Sequence, residues 1–270
     1  MERCTESKIL IQQTMFLWDN ISFGPIQSRR LGNSLGINVS PIDLKICSFD
    51  CIYCECGWTL EKSIDSSFFL PTELIMEAIE IKLKNCKQAD TIIDSITFSG
   101  NGEPTLHPQF YQIIDSLIVL RDKYYPKTAI TCLSNATQLV NENVFHALQK
   151  IENPVLKLDA VTEPLFQLIN KPTVSISVED TIMYLKRLNG NFILQTLFLK
   201  GEIEGLWFNN AEEPHLSLWL DVVKQLHPKK VMLYSLHRDT PAQGLEKIEM
   251  EELVKIARKV EDIGVLAEAY

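Results

Sequence analysis

The residues with the clearest chemical potential are three cysteines in one short segment. Cys47, Cys51 and Cys54 form a C-x3-C-x2-C pattern. Thiolates are soft ligands that select iron–sulfur clusters, zinc or copper(I). A [4Fe–4S] cluster normally takes four cysteine ligands. Three closely spaced thiolates would therefore hold such a cluster and leave one iron open for chemistry.

Other uses of these thiols fit the spacing less well. Structural zinc takes four tetrahedral ligands, usually from two separated pairs. Cys56 can complete a set of four, but the C-x-C step is cramped around one small ion. A disulfide pairing within the motif leaves one thiol over, and the N-terminal residues lack an apolar signal segment. The pattern favours iron–sulfur, with zinc or buried unligated thiols as alternatives.

The cysteine motif and two flanking segments resemble a known family. Tyr53 supplies the aromatic residue before the last cysteine of the motif, as in the radical S-adenosylmethionine (SAM) superfamily. The flanking segments are residues 28–38 (SRRLGNSLGIN) and 97–105 (TFSGNGEPT). Together they resemble a subgroup of iron–sulfur oxidoreductases related to the wybutosine-synthesis enzymes, which modify tRNA. The resemblance runs from about residue 23 to about residue 253 and implies a [4Fe–4S] cluster and SAM as cofactors.

Composition indicates an ordinary globular chain with an acidic balance. It has 270 residues, of which 46% are hydrophobic and 23% are charged, and its formal net charge is −9. Apolar runs are far shorter than a membrane span, so no membrane association is expected. Cysteines without an export signal predict a reducing, cytoplasmic location. Nucleic-acid binders usually carry a basic patch, and the scattered basic residues here do not favour that partner.

Hydrophobic patterning predicts alternating strands and helices. Strands are expected at residues 34–39, 94–99, 127–133, 155–160, 192–199 and 231–236. Helices are expected at residues 71–87, 107–124, 141–151, 178–188, 214–226 and from about 249, with a helical turn at 163–169 and a polar loop at 201–213. Repeated βα units indicate a parallel sheet with right-handed crossovers.

The strand count defines the expected architecture. Six βα units are too few for a complete TIM barrel and match the partial (β/α)6 barrel that the family resemblance implies. We therefore predict an α/β fold with a partial TIM barrel of parallel strands, the radical SAM core. Residues 1–30 are interpreted as an N-terminal extension and residues 31–270 as the barrel domain.

Polar residues follow the predicted strands at their C-terminal ends, where barrel enzymes collect their functional groups. The resemblance assigns the cluster to Cys47, Cys51 and Cys54. It implies that residues 100–103 hold the SAM amino group and that the backbone of Tyr53 passes near adenine. The candidate SAM-binding residues are Tyr53, Gly100, Asn101, Gly102, Glu103, Ser134, Asn135, Lys157 and Asp159.

Two of these candidates follow from strand alternation. Lys157 and Asp159 are two residues apart on a strand and should face the same side of the sheet. Lys157 can pair with the SAM carboxylate, and Asp159 can contact ribose or substrate. A buried ion-pair network between the two is the alternative.

Three residues on late strands are candidates for the substrate side. Gln195, His237 and Arg238 are predicted to lie away from the cluster, with His237 as a possible proton donor and Arg238 as a possible anion-binding group.

The predicted activity is reductive cleavage of SAM to a 5′-deoxyadenosyl radical, which abstracts hydrogen from a small-molecule or peptide substrate. A flavodoxin- or ferredoxin-type protein is the expected electron donor. The alternatives are a tRNA-base modifying enzyme and a non-catalytic zinc or iron–sulfur module.

Overall fold

A computed structural model describes residues 16–59 and 65–270 of the chain. The strands are β1 (Ser22–Ser28), β2 (Gly32–Ile37), β3 (Ser95–Phe98), β4 (Ala129–Ser134), β5 (Asn153–Lys157), β6 (Ile193–Leu197), β7 (Leu199–Ile203), β8 (Leu206–Asn209), β9 (Lys230–Tyr234), β10 (Leu245–Lys247) and β11 (Ala267–Ala269). The helices are α1 (Thr72–Gln88), α2 (Phe110–Tyr124), α3 (Glu142–Gln149), α4 (Glu163–Asn170), α5 (Val178–Lys186), α6 (His215–Leu226) and α7 (Met250–Asp262).

Eight strands form one curled sheet in the order β1-β2-β3-β4-β5-β6-β9-β11. Every neighbouring pair from β2 to β11 is parallel, and β1 joins β2 in an antiparallel hairpin. The six predicted strands correspond to β2, β3, β4, β5, β6 and β9. The predicted partial barrel of parallel strands is therefore confirmed.

Helix positions follow from apolar periodicity and capping. The buried residues of α7 recur at Leu253, Ile256, Ala257 and Val260, which is the spacing of one helical face. The Ser177 side chain accepts a hydrogen bond from the backbone N–H of Asp180, whose carboxylate accepts from Ser177 N in return. This capping box fixes where α5 begins.

The two faces of the sheet have different surroundings. Leu156, Leu194 and Leu233 belong to the main core beneath the helices. Val155, Ile193 and Met232 form a separate cluster on the opposite, inner face. Successive residues of a strand point to opposite faces, so the inner face also carries Lys157 and Gln195. This inner face is the lumen of the half-barrel.

Three features were not predicted from the sequence. The edge strand β1 contains Gly24 and Pro25, which do not read as a strand, and the terminal strand β11 has three residues. The segment predicted as a polar loop at 201–213 instead contributes to a three-stranded sheet, β10-β7-β8. Gly205, with φ +79°, makes the turn between β7 and β8. Hydrophobic patterning did not predict these strands because they are short and partly exposed.

The predicted division of the chain at residue 30 stays a prediction. Residues 1–15 of the proposed extension lie outside the described residues. Residues 22–28 form β1, which pairs with β2 in the barrel sheet. Among the helices of the described ranges, none combines the length and apolar character needed to cross a membrane.

Candidate functional site

The cysteine loop follows β2 and is fastened to the glycine-containing segment after β3. Ile46 N donates to Asn101 O at 3.0 Å, and Glu103 N donates to Ile46 O at 2.9 Å. Gly102 adopts φ +128°, and a Cβ atom there would lie 1.8 Å from Ile46 O. Only glycine allows this approach, so Gly102 determines where the cysteine loop begins.

The far side of the same loop is held by the end of α4. Asp50 N donates to Asn170 O at 3.1 Å, and Ile52 N donates to Ile169 O at 3.0 Å. Phe49 forms an isolated antiparallel bridge with Pro172. The loop is thus anchored on both sides, and the three thiols are presented from a fixed backbone.

Nitrogen donors lie close to two of the three cysteine sulfurs, those of Cys47 and Cys51. Asn135 Nδ2 lies 3.6 Å from Cys47 Sγ, and the backbone N–H of Phe49 lies 3.5 Å from the same atom. Lys157 Nζ lies 2.7 Å and Asn170 Nδ2 lies 3.8 Å from Cys51 Sγ. Hydrogen bonds to ligating sulfurs stabilise thiolates and tune cluster potentials. The donor set therefore fits a cluster bound by thiolates.

The thiols differ in proton affinity. Burial raises the pKa of Cys47 to about 12, against the effect of the Lys45 charge. Burial also raises the pKa of Cys51, opposed by Lys157. A hydrogen bond with Cys56 lowers the pKa of Cys54 to about 5. A bound iron atom replaces the thiol proton and favours the thiolate form of each ligand.

Lys45 is a site residue that the sequence analysis missed. Its side chain is buried, and Nζ donates to Gly57 O at 2.7 Å and lies 3.4 Å from Asp50 Oδ1. Burial lowers the pKa of Lys45. The negative charges of the nearby Cys54, Cys47 and Cys51 raise it by a larger amount, so the net shift of the pKa is upward. A lysine two residues before Cys47 was the available signal. Its burial depends on how the loop folds back through Gly57.

Lys157 and Asp159 form an ion pair beside the cysteine loop. Lys157 Nζ lies 3.2 Å from Asp159 Oδ2 and 4.7 Å from the centroid of the Tyr53 ring. Asp159 also accepts hydrogen bonds from the Tyr53 hydroxyl, from Asn170 Nδ2 at 2.8 Å and from Leu197 N at 3.0 Å. The carboxylate is thus engaged by protein groups and orients Tyr53 and Lys157.

The glycine-containing segment, residues 100–103, also makes contacts that hold neighbouring parts of the chain in place. The Asn101 side chain is fully buried, and its Nδ2 donates to Trp18 O and Pro41 O, both at 2.9 Å. A Cβ atom at Gly100 would lie 2.3 Å from Asn38 Oδ1. The segment holds the chain before and after β2 against the end of β3.

Glu103 links this segment to the end of β4. Its carboxylate accepts from Asn135 N at 2.6 Å and from Thr105 N at 3.1 Å. Burial raises the pKa of Glu103, and these hydrogen bonds partly offset the effect. Asn135 Nδ2 also donates to Ser48 Oγ at 2.9 Å, and Ser134 is buried beside it. Glu103, Ser134 and Asn135 therefore lie together next to the cysteine loop.

The three substrate-side candidates do not lie together. Gln195 is buried on the inner face, where its Oε1 accepts from Arg30 Nη1 at 3.1 Å. His237 and Arg238 lie exposed on the loop after β9. Arg238 pairs with Glu55 at 2.7 Å, so it joins that loop to the cysteine loop. Arg30 was not selected by the sequence analysis, and its position depends on the β1–β2 turn.

The described side chains of His, Cys, Asp and Glu contain no group of three that converges on one metal ion. A [4Fe–4S] cluster needs no such convergence, because its cysteine ligands bind different iron atoms.

Fold and site together define the class of protein. The sequence profile of the radical SAM superfamily matches residues 42–205, which span the cysteine loop and the strands from β3 to β7. The chain belongs to the radical SAM superfamily. Members of this superfamily are enzymes that use a [4Fe–4S] cluster and SAM, as the family resemblance implied.

Within the superfamily, the chain is similar to proteins named UPF0026. One from Methanocaldococcus jannaschii is 30% identical over 240 residues, which cover 87% of this chain and 70% of the relative. One from Helicobacter pylori strain J99 is also 30% identical, covering 91% of this chain and 75% of the relative.

Solved structures share the fold at low sequence identity. A radical SAM methyltransferase from Sphaerobacter thermophilus has a TM-score of 0.63 at 13% identity, over 88% of this chain and 65% of that one. SuiB from Streptococcus suis, bound to S-adenosylmethionine, has a TM-score of 0.57 at 14% identity, over 87% and 46%. Archaeal TYW1 has a TM-score of 0.50 at 16% identity, over 85% and 71%. The chain spans less than two thirds of the first two structures.

Proposed function

We propose that this chain is an enzyme that cleaves SAM reductively and abstracts hydrogen from a small-molecule or peptide substrate. The observation that carries the proposal is the doubly anchored loop, whose Cys47 and Cys51 sulfurs face nitrogen donors. A [4Fe–4S] cluster held by Cys47, Cys51 and Cys54 would supply the electron for cleavage of the sulfonium bond of SAM into methionine and a 5′-deoxyadenosyl radical.

Each part of the site has a role in this proposal. Cys47, Cys51 and Cys54 would hold the cluster. The segment 100–103, together with Ser134 and Asn135, lines the place of the SAM methionine and ribose. Asp159 keeps Lys157 and Tyr53 in position through its hydrogen bonds. Lys157 binds the SAM carboxylate, because it is a buried cation directly beside Cys51.

The substrate class is the less constrained part of the proposal. A net charge of −9 disfavours a polyanionic substrate, which supports a small molecule or peptide over tRNA. SuiB has been solved with its precursor peptide SuiA, so a protein of this fold accommodates a peptide. Fold similarity to archaeal TYW1 is the observation that favours tRNA as the second candidate. Salt-sensitive retention of tRNA by the purified protein would support that candidate.

Two further assignments accompany the proposal. A flavodoxin- or ferredoxin-type protein supplies the electron, and the enzyme works in the cytoplasm, where the thiols stay reduced. Transfer of electrons from a reduced donor of each type, followed by release of 5′-deoxyadenosine, tests the first assignment.

The central experiment is anaerobic reconstitution with iron and sulfide, followed by SAM and dithionite. We expect about four irons per chain and formation of 5′-deoxyadenosine. Serine in place of Cys47, Cys51 or Cys54 should abolish both cluster loading and SAM cleavage. Cys86→Ser, at a buried thiol of α1 away from the loop, is the matched control and should keep both.

Two results would overturn the proposal. The first is an intact cluster that yields no 5′-deoxyadenosine with SAM and reductant. The second is purified protein with one zinc per chain and no acid-labile sulfide, which would identify a zinc module.

A further inference from the structure

The turn between β1 and β2 lies across the inner face of the half-barrel. Ser28 pairs with Gly32, which closes a three-residue turn at positions 29–31. Ser28 Oγ accepts from the backbone N–H groups of Arg30 at 3.3 Å and Leu31 at 3.2 Å. These bonds fix the backbone of the turn, and hence the direction in which its side chains leave.

Leu31 shows where the turn points. Its side chain packs against the inner-face cluster of Val155, Ile193 and Met232. Those residues belong to β5, β6 and β9, whereas the turn leads into β2 near the other edge of the sheet. The turn therefore reaches across the lumen and brings Arg30 with it.

Arg30 makes a defined but incomplete set of contacts in the lumen. Nη1 donates to Gln195 Oε1 at 3.1 Å, and Cζ lies 4.5 Å from the centroid of the Tyr234 ring. Within the described part of the chain, no carboxylate lies within 4 Å of the guanidinium. A guanidinium carries five N–H donors, and the hydrogen bond to Gln195 uses one of them. Most of its hydrogen-bonding capacity is therefore available to a ligand.

The neighbours of Arg30 are also donors. Gln195 uses its carbonyl oxygen for Arg30, which leaves its amide NH2 as the free end. The Tyr234 hydroxyl has no hydrogen-bond partner among the residues that the structure describes. Three donor groups, with no carboxylate of the described residues within 4 Å of the guanidinium, favour an oxyanion ligand, and the planar guanidinium fits one through two parallel hydrogen bonds.

This donor group lies next to the candidate SAM site. Gln195 on β6 is the register partner of Lys157 on β5. Tyr234 ends β9, the strand on the other side of β6. Of the two Arg30 contacts, Gln195 is therefore one strand away from Lys157 and Tyr234 is two strands away.

We propose that Arg30, Gln195 and Tyr234 bind an oxyanion group of the substrate, either a carboxylate or a phosphoryl group. The identity of that ligand as substrate rests on the proposed function, whereas the anion site itself does not. Arg30 provides the charge and the bidentate contact, while Gln195 and Tyr234 complete the donor set. The anchored group holds the rest of the substrate toward Lys157 and the cysteine loop.

Calorimetric titrations of small anions into the cluster-loaded protein, in the presence of SAM, test this site. The probes are succinate, inorganic phosphate and uncharged succinamide at constant ionic strength. We expect at least one of the two anions to bind and succinamide not to bind. A preference for succinate identifies a carboxylate, and a preference for phosphate identifies a phosphoryl group. Arg30→Gln should weaken binding of the preferred anion at least tenfold.

Arg29→Gln is the matched control, because Arg29 is its exposed neighbour in the same turn, and it should bind the anion as the wild type does. Tyr234→Phe removes one oxygen only and should weaken binding severalfold, which keeps the test usable if Arg30→Gln fails to fold. Equal anion binding by the wild type, Arg30→Gln and Tyr234→Phe would overturn the proposal, as would no binding of either anion. Formation of 5′-deoxyadenosine is measured separately, so failure of SAM cleavage is distinguished from failure of this site.

Discussion

Gly102 and Ile46 approach so closely that their backbones form a parallel bridge between the cysteine loop and the end of β3. A Cβ atom at Gly102 would lie 1.8 Å from Ile46 O, and the backbone there has φ +128°. Conformation and contact both require glycine at this position. Placement of the first cysteine ligand thus depends on a residue that carries no side chain.

Gly102→Ala should therefore impair the cysteine loop. The backbone conformation alone costs a non-glycine residue about 1–3 kcal/mol, and the clash with Ile46 forces the loop to move. We expect a lower unfolding temperature and strongly reduced iron and sulfide content after reconstitution. Metal analysis and thermal unfolding of the same preparation measure both effects.

Gly205→Ala is the control that separates the cost of backbone conformation from the effect of the clash with Ile46. Gly205 also has a positive φ, +79°, but a Cβ atom added there would have no neighbouring atom within 4 Å. This variant should lose some stability and keep its cluster. Full cluster content in Gly102→Ala would show that the bridge does not position the loop.

Lys157→Met should weaken SAM binding. Methionine keeps the length and apolar stem of the side chain but removes the cation beside Cys51 and Asp159. A hydrogen bond to a charged group contributes about 1.5–3 kcal/mol, so the Kd for SAM should rise by roughly 10- to 100-fold. Calorimetric titration of the cluster-loaded protein without reductant measures this Kd.

The control is Lys84→Met, which removes a lysine from an exposed ion pair with Glu80 on α1. Its Kd for SAM should match the wild type. If Lys157→Met, with full cluster content, binds SAM normally, Lys157 serves only its buried pair with Asp159.

His107→Gln should flatten the pH dependence of stability on the acidic side. His107 Nδ1 accepts from Gln109 N at 3.1 Å, so Nε2 carries the proton and donates to Leu70 O at 2.9 Å. Burial lowers the pKa of His107 below its ordinary 6.5, although the Leu70 carbonyl opposes the shift. His107 is therefore harder to protonate in the folded protein than in the unfolded chain.

The sign follows from that difference. As pH falls below 6.5 toward the lowered pKa of the folded state, unfolding takes up a proton and the free energy of unfolding decreases. The slope is at most about 1.4 kcal/mol per pH unit for one proton. Urea unfolding at several pH values should show a smaller slope for His107→Gln than for the wild type. His146→Gln, at an exposed position of α3, should keep the wild-type slope.

Local patterns predicted the main architecture because they act over a few residues. The βα alternation identified β2, β3, β4, β5, β6 and β9, since buried parallel strands read as continuous apolar runs. The strands β1 and β11 and the small sheet were missed, because their sequences lack such runs and their pairing depends on distant segments.

The candidate site divides in the same way. The sequence by itself indicated the three cysteines, the glycine-containing segment and the placement of Lys157 and Asp159 on one face of a strand, since ligand spacing and strand alternation are local properties. Only the tertiary structure decided that Lys45 is buried under the cysteine loop and that Arg30 reaches Gln195. It also decided that Arg238 pairs with Glu55 at the surface. Such contacts join residues far apart in the chain, and the register and turns of the folded backbone determine which side chains meet.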